Sequence, residues 1–215
     1  MTRARIGVLK TAVWLGCLGP LCRLLYRGLS DDLGANPIEF VTLSTGTWTL
    51  VLVLAALAVT PLRKLTGQNW LIRFRRLIGL FAFFYALLHL TTYVWLDKFF
   101  DLREMLDDVV KRRFITMGLL SLTLMAPLAL TSTTWAVRKL GGKNWQRLHR
   151  LIYASAAAGV IHFWWKVKAD VREPAIFASV LAVLLAMRIV IAVRARRDGR
   201  SRTLGHPSRQ EATHG

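Results

Sequence analysis

Residues 77–96 read LIGLFAFFYALLHLTTYVWL, a run without one charged side chain, closed by Arg75 and Arg76 before it and by Asp97 and Lys98 after it. A helix needs about 20 apolar residues to cross roughly 30 Å of hydrocarbon, so this stretch has the length and composition of a membrane span. Two more stretches, 40–62 and 114–137, are equally free of charge. Three others are weaker. Residues 8–26 contain Lys10 and Arg23, 151–165 are few, and 174–193 contain Arg188. Long basic side chains can snorkel to the interface, so these three also qualify. The reading is an all-α, polytopic helical bundle of six transmembrane helices over residues 1–193. A basic tail over 194–215, rich in arginine and polar residues, is expected to be disordered.

The 215-residue chain is 54% hydrophobic and yet carries a formal net charge of +18. Such a balance raises nucleic-acid binding in a soluble protein. Here the basic residues sit between apolar runs, and topology accounts for them. With the N-terminus inside, Arg63, Lys64, Arg73, Arg75, Arg76, Arg138, Lys139, Lys143, Arg147, Arg150 and the tail fall on one side. Ten of the twelve acidic residues fall on the other. That is the positive-inside pattern, with both termini in the cytoplasm of a bacterial inner membrane and no nucleic acid required. A signal peptide would also begin with basic residues before an apolar run, but no convincing cleavage site follows. Cys17 and Cys22 read as small side chains within the first span. Trp70, Trp95, Trp145, Trp164 and Trp165 read as interfacial belt residues.

Three histidines carry the functional signal: His89, His149 and His162. One isolated histidine in a span is most simply a hydrogen-bonded packing residue. Histidines on two separate spans at matching depth point further. Counting from the basic ends of their spans, His89 lies about 20 Å along one axis and His162 about 18 Å along the other. Two neutral imidazoles facing each other between helices can clamp a haem iron axially. Zinc fits less well, because no third or fourth ligand shares that depth. His149 precedes His162 by thirteen residues, about 20 Å of rise, which suits a second stacked site. On one continuous helix the two side chains would point about 140° apart, so a kink or tilt is required.

The chain also repeats itself. Residues 62–70, LRKLTGQNW, resemble residues 137–145, VRKLGGKNW, and Arg75-Arg76-Leu77-Ile78 matches His149-Arg150-Leu151-Ile152. His89 and His162 become counterparts, and Arg75 stands opposite His149. The outer pair is therefore complete, and the inner one is half built.

The blocks Arg73-Phe74-Arg75-Arg76-Leu77-Ile78-Gly79-Leu80, Leu88-His89-Leu90-Thr91-Thr92-Tyr93, Leu130-Thr131-Ser132-Thr133, Asn144-Trp145-Gln146-Arg147-Leu148-His149 and Ile161-His162 resemble those of the MsrQ (YedZ) family. That family comprises haem-binding membrane subunits of periplasmic protein-methionine-sulfoxide reductase systems, within the ferric reductase-like transmembrane superfamily. The resemblance spans residues 10–193. It implies haem b on His89, His149 and His162, an FMN, and a periplasmic molybdenum-containing partner, MsrP. It further implies electrons from the quinone pool, with a cytosolic flavin reductase as the competing donor. Leu43 stands near a position where some relatives carry a histidine, so no ligand is expected there.

Arginine forks suit phosphate and carboxylate, so Arg73, Arg75 and Arg76, with Arg147 and Arg150, are expected to hold an FMN phosphate or haem propionates. The mixed charges of the outer loop 97–113 suit the orientation of a docked partner. These expectations make the chain an electron-transfer subunit rather than a catalytic one. A proton-coupled transporter using the histidines as relays is the rival, but the spans contain no acidic residue. A cofactor-free anchor subunit is the third reading.

Overall fold

The computed structural model describes residues 2–204; His206, His214 and the rest of the tail lie outside the described residues. Its helices are α1 (Arg3–Leu29), α2 (Pro37–Thr66), α3 (Ile72–Thr91), α4 (Leu102–Lys111), α5 (Arg113–Leu130), α6 (Thr134–Leu140), α7 (Gly142–Leu148), α8 (Leu151–Lys166) and α9 (Arg172–Leu204). A short 3-10 turn, Asn69–Leu71, leads into α3, and π-helical turns, Thr92–Asp97, prolong it. There is no strand among the described residues. The helix α9 continues past Arg194, where the sequence reading begins a disordered tail.

Local chemistry sets the helix ends. Asn36 accepts from the Glu39 N–H at 3.3 Å while its own amide donates to the Glu39 carboxylate at 3.0 Å, with Pro37 in the first turn. These are the preferences of a helix start. Gly67, at φ 71°, closes the other end of α2 in the left-handed region that glycine adopts without strain. Asp101 and Thr133 cap α4 and α6 in the same way as Asn36.

Among the described residues, five helical stretches are long and apolar enough to cross a membrane: Ala4–Leu29, Pro37–Thr66, Asn69–Asp97, Arg113–Leu130 and Arg172–Arg194. The sixth expected span, α8, has 16 residues, about 24 Å of rise, and so falls short of the hydrocarbon thickness by itself. It is well enclosed by other helices, with Ser155, Ala156, Ala158, Gly159 and Val160 buried. The protein is a multi-pass membrane protein.

The two most extensive pairings are α2 with α3 and α5 with α8, with α9 against α2 and α8, and α1 against α3 and α2. The internal repeat thus appears as two antiparallel helix pairs. Small residues bring α5 and α8 together. Ser121 donates to the Ser155 carbonyl at 2.9 Å and Ser155 to the Ser121 carbonyl at 3.0 Å, and Gly159 leaves room for Leu50.

Two prolines open the backbone ladder, and side chains from other helices fill the gaps. Pro61 cannot donate to the carbonyl of Leu57, one helical turn back. Arg188 does so instead, Nη2 to the Leu57 oxygen at 2.6 Å, while Nη1 donates to the Tyr153 hydroxyl at 2.7 Å. The one basic side chain within the α9 span therefore ties α2, α8 and α9. Beside Pro20, the Tyr85 hydroxyl takes the Leu21 N–H at 3.0 Å and donates to the Cys17 carbonyl at 2.8 Å, wedging α3 into the ladder of α1.

Candidate functional site

A cavity of about 620 Å³ lies between the two helix pairs, within the range of small-molecule and cofactor sites. Leu50, Val53, Leu122 and Met125 form apolar walls, and His89 and His162 both line it. Their ring centroids stand 6.0 Å apart with planes at 80°. His89 Nδ1 is 2.9 Å from the Thr42 carbonyl oxygen, and His162 Nδ1 is 2.6 Å from that of Phe114. A carbonyl only accepts, so each Nδ1 holds the proton and each Nε2 keeps a free lone pair. Metal-bound histidines are oriented by a second hydrogen bond of this kind. Both rings, with Nε2 free to ligate, would be the residues to hold a haem iron in this cavity.

Glycines complete each half. A Cβ on Gly46 would stand 3.0 Å from His89 Cε1, and one on Gly118 would stand 2.8 Å from His162 Nδ1. Each glycine lies one helical turn after the carbonyl that holds the ring, Thr42 with Gly46 and Phe114 with Gly118. The repeat therefore reproduces the imidazole, its acceptor and its cradle. Sequence reading missed the cradle, although a lone glycine in an apolar span was its signal. On the His89 side the Thr92 hydroxyl donates to the His89 carbonyl at 2.8 Å, where the π-helical turns begin. Such turns occur frequently at functional sites.

The mouth of the cavity is covered by α4, whose Met105 and Val109 line it. Asp108 anchors this helix, meeting Lys98 Nζ at 2.9 Å, Arg112 Nε at 2.9 Å and the Tyr93 hydroxyl at 3.1 Å. Lys98 also pairs with Glu104. Hydrogen bonds donated to Glu104 and Asp108 hold the Lys98 ammonium well above the ordinary lysine range. Burial pushes the Asp108 carboxyl up, but hydrogen bonds from Lys98 and Tyr93 and the charge of Arg112 outweigh it and hold the group below the usual carboxylate range. Lys111 pairs with Asp107 as well. Many charges of the 97–113 loop thus pair with one another, with Glu104, Asp107, Lys111 and Arg112 still exposed.

The inner site differs. His149 does not lie on α8; it closes α7, and a turn with Arg150 separates the two helices. The 140° worked for one continuous helix therefore does not apply, and His149 does not line the cavity that His89 and His162 share. The His149 ring stacks on Trp145 at 3.8 Å, and its Nε2 lies 3.2 Å from the Thr131 hydroxyl. Trp145, read as a belt residue, instead donates its indole N–H to the Thr131 carbonyl at 2.9 Å. The half-buried Arg75 lies within electrostatic reach of His149, Arg188 and Tyr153. Arg73 and Arg76 are exposed and border a separate groove beside α1. Arg147 and Arg150 flank His149 on the turn. No group of three or more His, Cys, Asp or Glu side chains gathers to hold a metal ion among the described residues.

A membrane bundle of two repeated helix pairs, with an imidazole of each turned into one cavity, has the form of a ferric reductase-like component. The family model "Ferric reductase like transmembrane component" matches residues 42–160, and the chain belongs to that family. Within it, the chain belongs to the MsrQ branch. It is 53% identical to a protein of Herminiimonas arsenicoxydans over 86% of each chain, and 52% identical to one of Ralstonia nicotianae over 88% of each. A Rhodospirillum rubrum protein is 52% identical over 93% of this chain and 95% of its own. All three relatives are named protein-methionine-sulfoxide reductase heme-binding subunit MsrQ.

Proposed function

We propose that the chain is the membrane cytochrome b subunit of a methionine-sulfoxide reductase system in the bacterial inner membrane. It conducts electrons from the quinone pool, or from a cytosolic flavin donor, to a periplasmic molybdenum-containing reductase of the MsrP type. The observation that carries this reading is the His89–His162 pair, with both Nδ1 atoms tied to backbone carbonyls and the rings 6.0 Å apart in one cavity. Haem b, when bound there, supplies a reversible one-electron couple.

The chain's own part is to fix the ligands. The carbonyls of Thr42 and Phe114 hold the imidazole protons, Gly46 and Gly118 leave the rings room, and apolar walls with α4 across the mouth keep water out. At the inner end His149 is the ligand, with Arg75 opposite it, and this is where electrons enter. Arg75, Arg147 and Arg150 offer guanidinium forks to haem propionates or to an FMN phosphate, the flavin resting on the family resemblance. Six crossings, with α8 the fifth, put both termini in the cytoplasm and the His89–His162 site on the periplasmic side.

The test is a visible spectrum of the purified protein, oxidised and dithionite-reduced. His89→Ala and His162→Ala are expected to abolish a low-spin outer haem, while His149→Ala leaves it largely intact. A protein with no Soret band after haem supplementation sinks the proposal, and loss of all haem in His149→Ala overturns the pairing.

A further inference from the structure

The inner arginines of α3 divide between two faces, and the outward face forms a site of its own. A groove of about 550 Å³ runs between α1 and α3, lined by Lys10, Trp14, Arg73, Arg76, Leu77 and Leu80. Three cations from two helices ring one end, and none pairs with a carboxylate among the described residues. Below them the floor is apolar.

The depth of these cations is set by the helices. Lys10 lies roughly 19 residues, about 28 Å of rise, from Leu29 at the far end of α1. Arg76 lies roughly 21 residues, about 31 Å of rise, from Asp97 at the far end of the α3 span. Each distance is about one hydrocarbon thickness, so both cations sit at headgroup level on the same side. None of the residues lining the groove lines the cavity of the histidines.

We infer that Lys10, Arg73 and Arg76 form a phosphate seat for an anionic phospholipid, whose acyl chains lie along Trp14, Leu77 and Leu80. A lipid suits the site better than a soluble phosphate because the apolar floor continues from the cations toward the bilayer interior. Basic pockets between spans on the cytoplasmic side bind headgroups in this way. Each cation near the surface contributes about fivefold in affinity, so the three together are worth about a hundredfold. The seat fastens α1 to α3 at the basic end, as Tyr85 does deeper in.

Native mass spectrometry of the full-length protein, released from phosphatidylcholine nanodiscs containing a few per cent cardiolipin, reads the retained lipid directly. The wild type is expected to keep cardiolipin at least tenfold over phosphatidylcholine. A Lys10→Gln/Arg73→Gln/Arg76→Gln variant with an unchanged Soret band is expected to lose about a hundredfold in cardiolipin retention. A Lys64→Gln/Arg138→Gln/Lys139→Gln variant, which removes equal charge from the same end, is expected to retain it. Equal retention of the two lipids by the wild type, which needs no variant to fold, overturns the inference. Equal loss in both triple variants also overturns it, by reducing the effect to general surface charge. Displacement of cardiolipin by millimolar inorganic phosphate or free FMN overturns the lipid assignment in favour of a soluble phosphate.

Discussion

Gly118→Ala tests the histidine geometry most directly. The added methyl would stand 2.8 Å from His162 Nδ1 and 3.0 Å from Cε1, where unstrained contacts begin near 3.4 Å. The ring must retreat by about 0.6 Å or more, and Nδ1, the atom nearest the methyl, is the one bonded to Phe114. That 2.6 Å bond is then lengthened or lost. Overpacking of this kind costs about 1–3 kcal/mol. Disturbing a hydrogen bond that orients a metal-bound histidine lowers metal affinity about 10–100-fold. The expected outcome is therefore a 10–100-fold weaker haem affinity, read by titrating haem into the apo-protein in detergent and following the Soret band. A shift of the low-spin electron paramagnetic resonance signal toward high spin should accompany it. Gly46→Ala, with its nearest contact at 3.0 Å, is expected to cost less than tenfold. Gly79→Ala meets nothing within 4 Å on α3 and is expected to leave haem binding unchanged while favouring the helix by up to about 1 kcal/mol. Wild-type haem affinity and spectrum in Gly118→Ala would refute the placement of the His162 ring.

Other expectations follow from the ties between helices. Arg188→Gln removes donors from the Leu57 carbonyl and the Tyr153 hydroxyl, and a loss of about 1–2 kcal/mol is expected in steric-trap or denaturant unfolding. In a Pro61→Ala background the restored N–H can take the Leu57 carbonyl, so the same substitution is expected to cost less than half as much; an undiminished cost would show that the proline is irrelevant. Tyr85→Phe is expected to cost under about 1 kcal/mol, because the Leu21 N–H and Cys17 carbonyl it releases are one turn apart and can bond each other. The α4 cover is expected to respond to acid. Asp108, held below its usual range, contributes stability that is present above the ordinary carboxylate pKa and is lost as pH falls through its lowered value. Lys98, held high, contributes up to its ordinary pKa and loses this only above it. Hydrogen exchange in α4 is therefore expected to be flat from pH 5 to 8 and, after correction for intrinsic rates, faster near pH 3. Unchanged protection at pH 3 would show that Asp108 does not anchor the helix.

Much of the site was legible because the bilayer restricts what a sequence can mean. Charge-free runs gave the spans, and the basic turns gave the repeat that pairs His89 with His162. The division among Arg73, Arg75 and Arg76 was also open to reading, since 100° per residue puts 73, 76, 77 and 80 on one face and turns 75 away. Other features were out of reach. Nothing local says that His149 closes a separate short helix, because neither proline nor glycine interrupts Leu148-His149-Arg150-Leu151. Trp145 looked like an interfacial tryptophan, and only the approach of Thr131 makes it a support for His149. Arg188 read as a flaw in the last span, since its acceptor is a carbonyl that a proline elsewhere in the chain leaves open. In the 97–113 loop Lys98 looked like one more exposed charge, and only the fold turns it inward onto Asp108.

The bond between Arg188 and Leu57 joins residues 131 positions apart. During synthesis α2 enters the membrane long before α9 exists, so the open carbonyl at Leu57 lacks this partner until α9 is made. A polar group left bare in hydrocarbon is unfavourable. The α2 segment is thus held in an unfinished state that α9 resolves. A product broken off before residue 188 would carry that bare carbonyl as a local mark of incompleteness, separate from any loss of redox function.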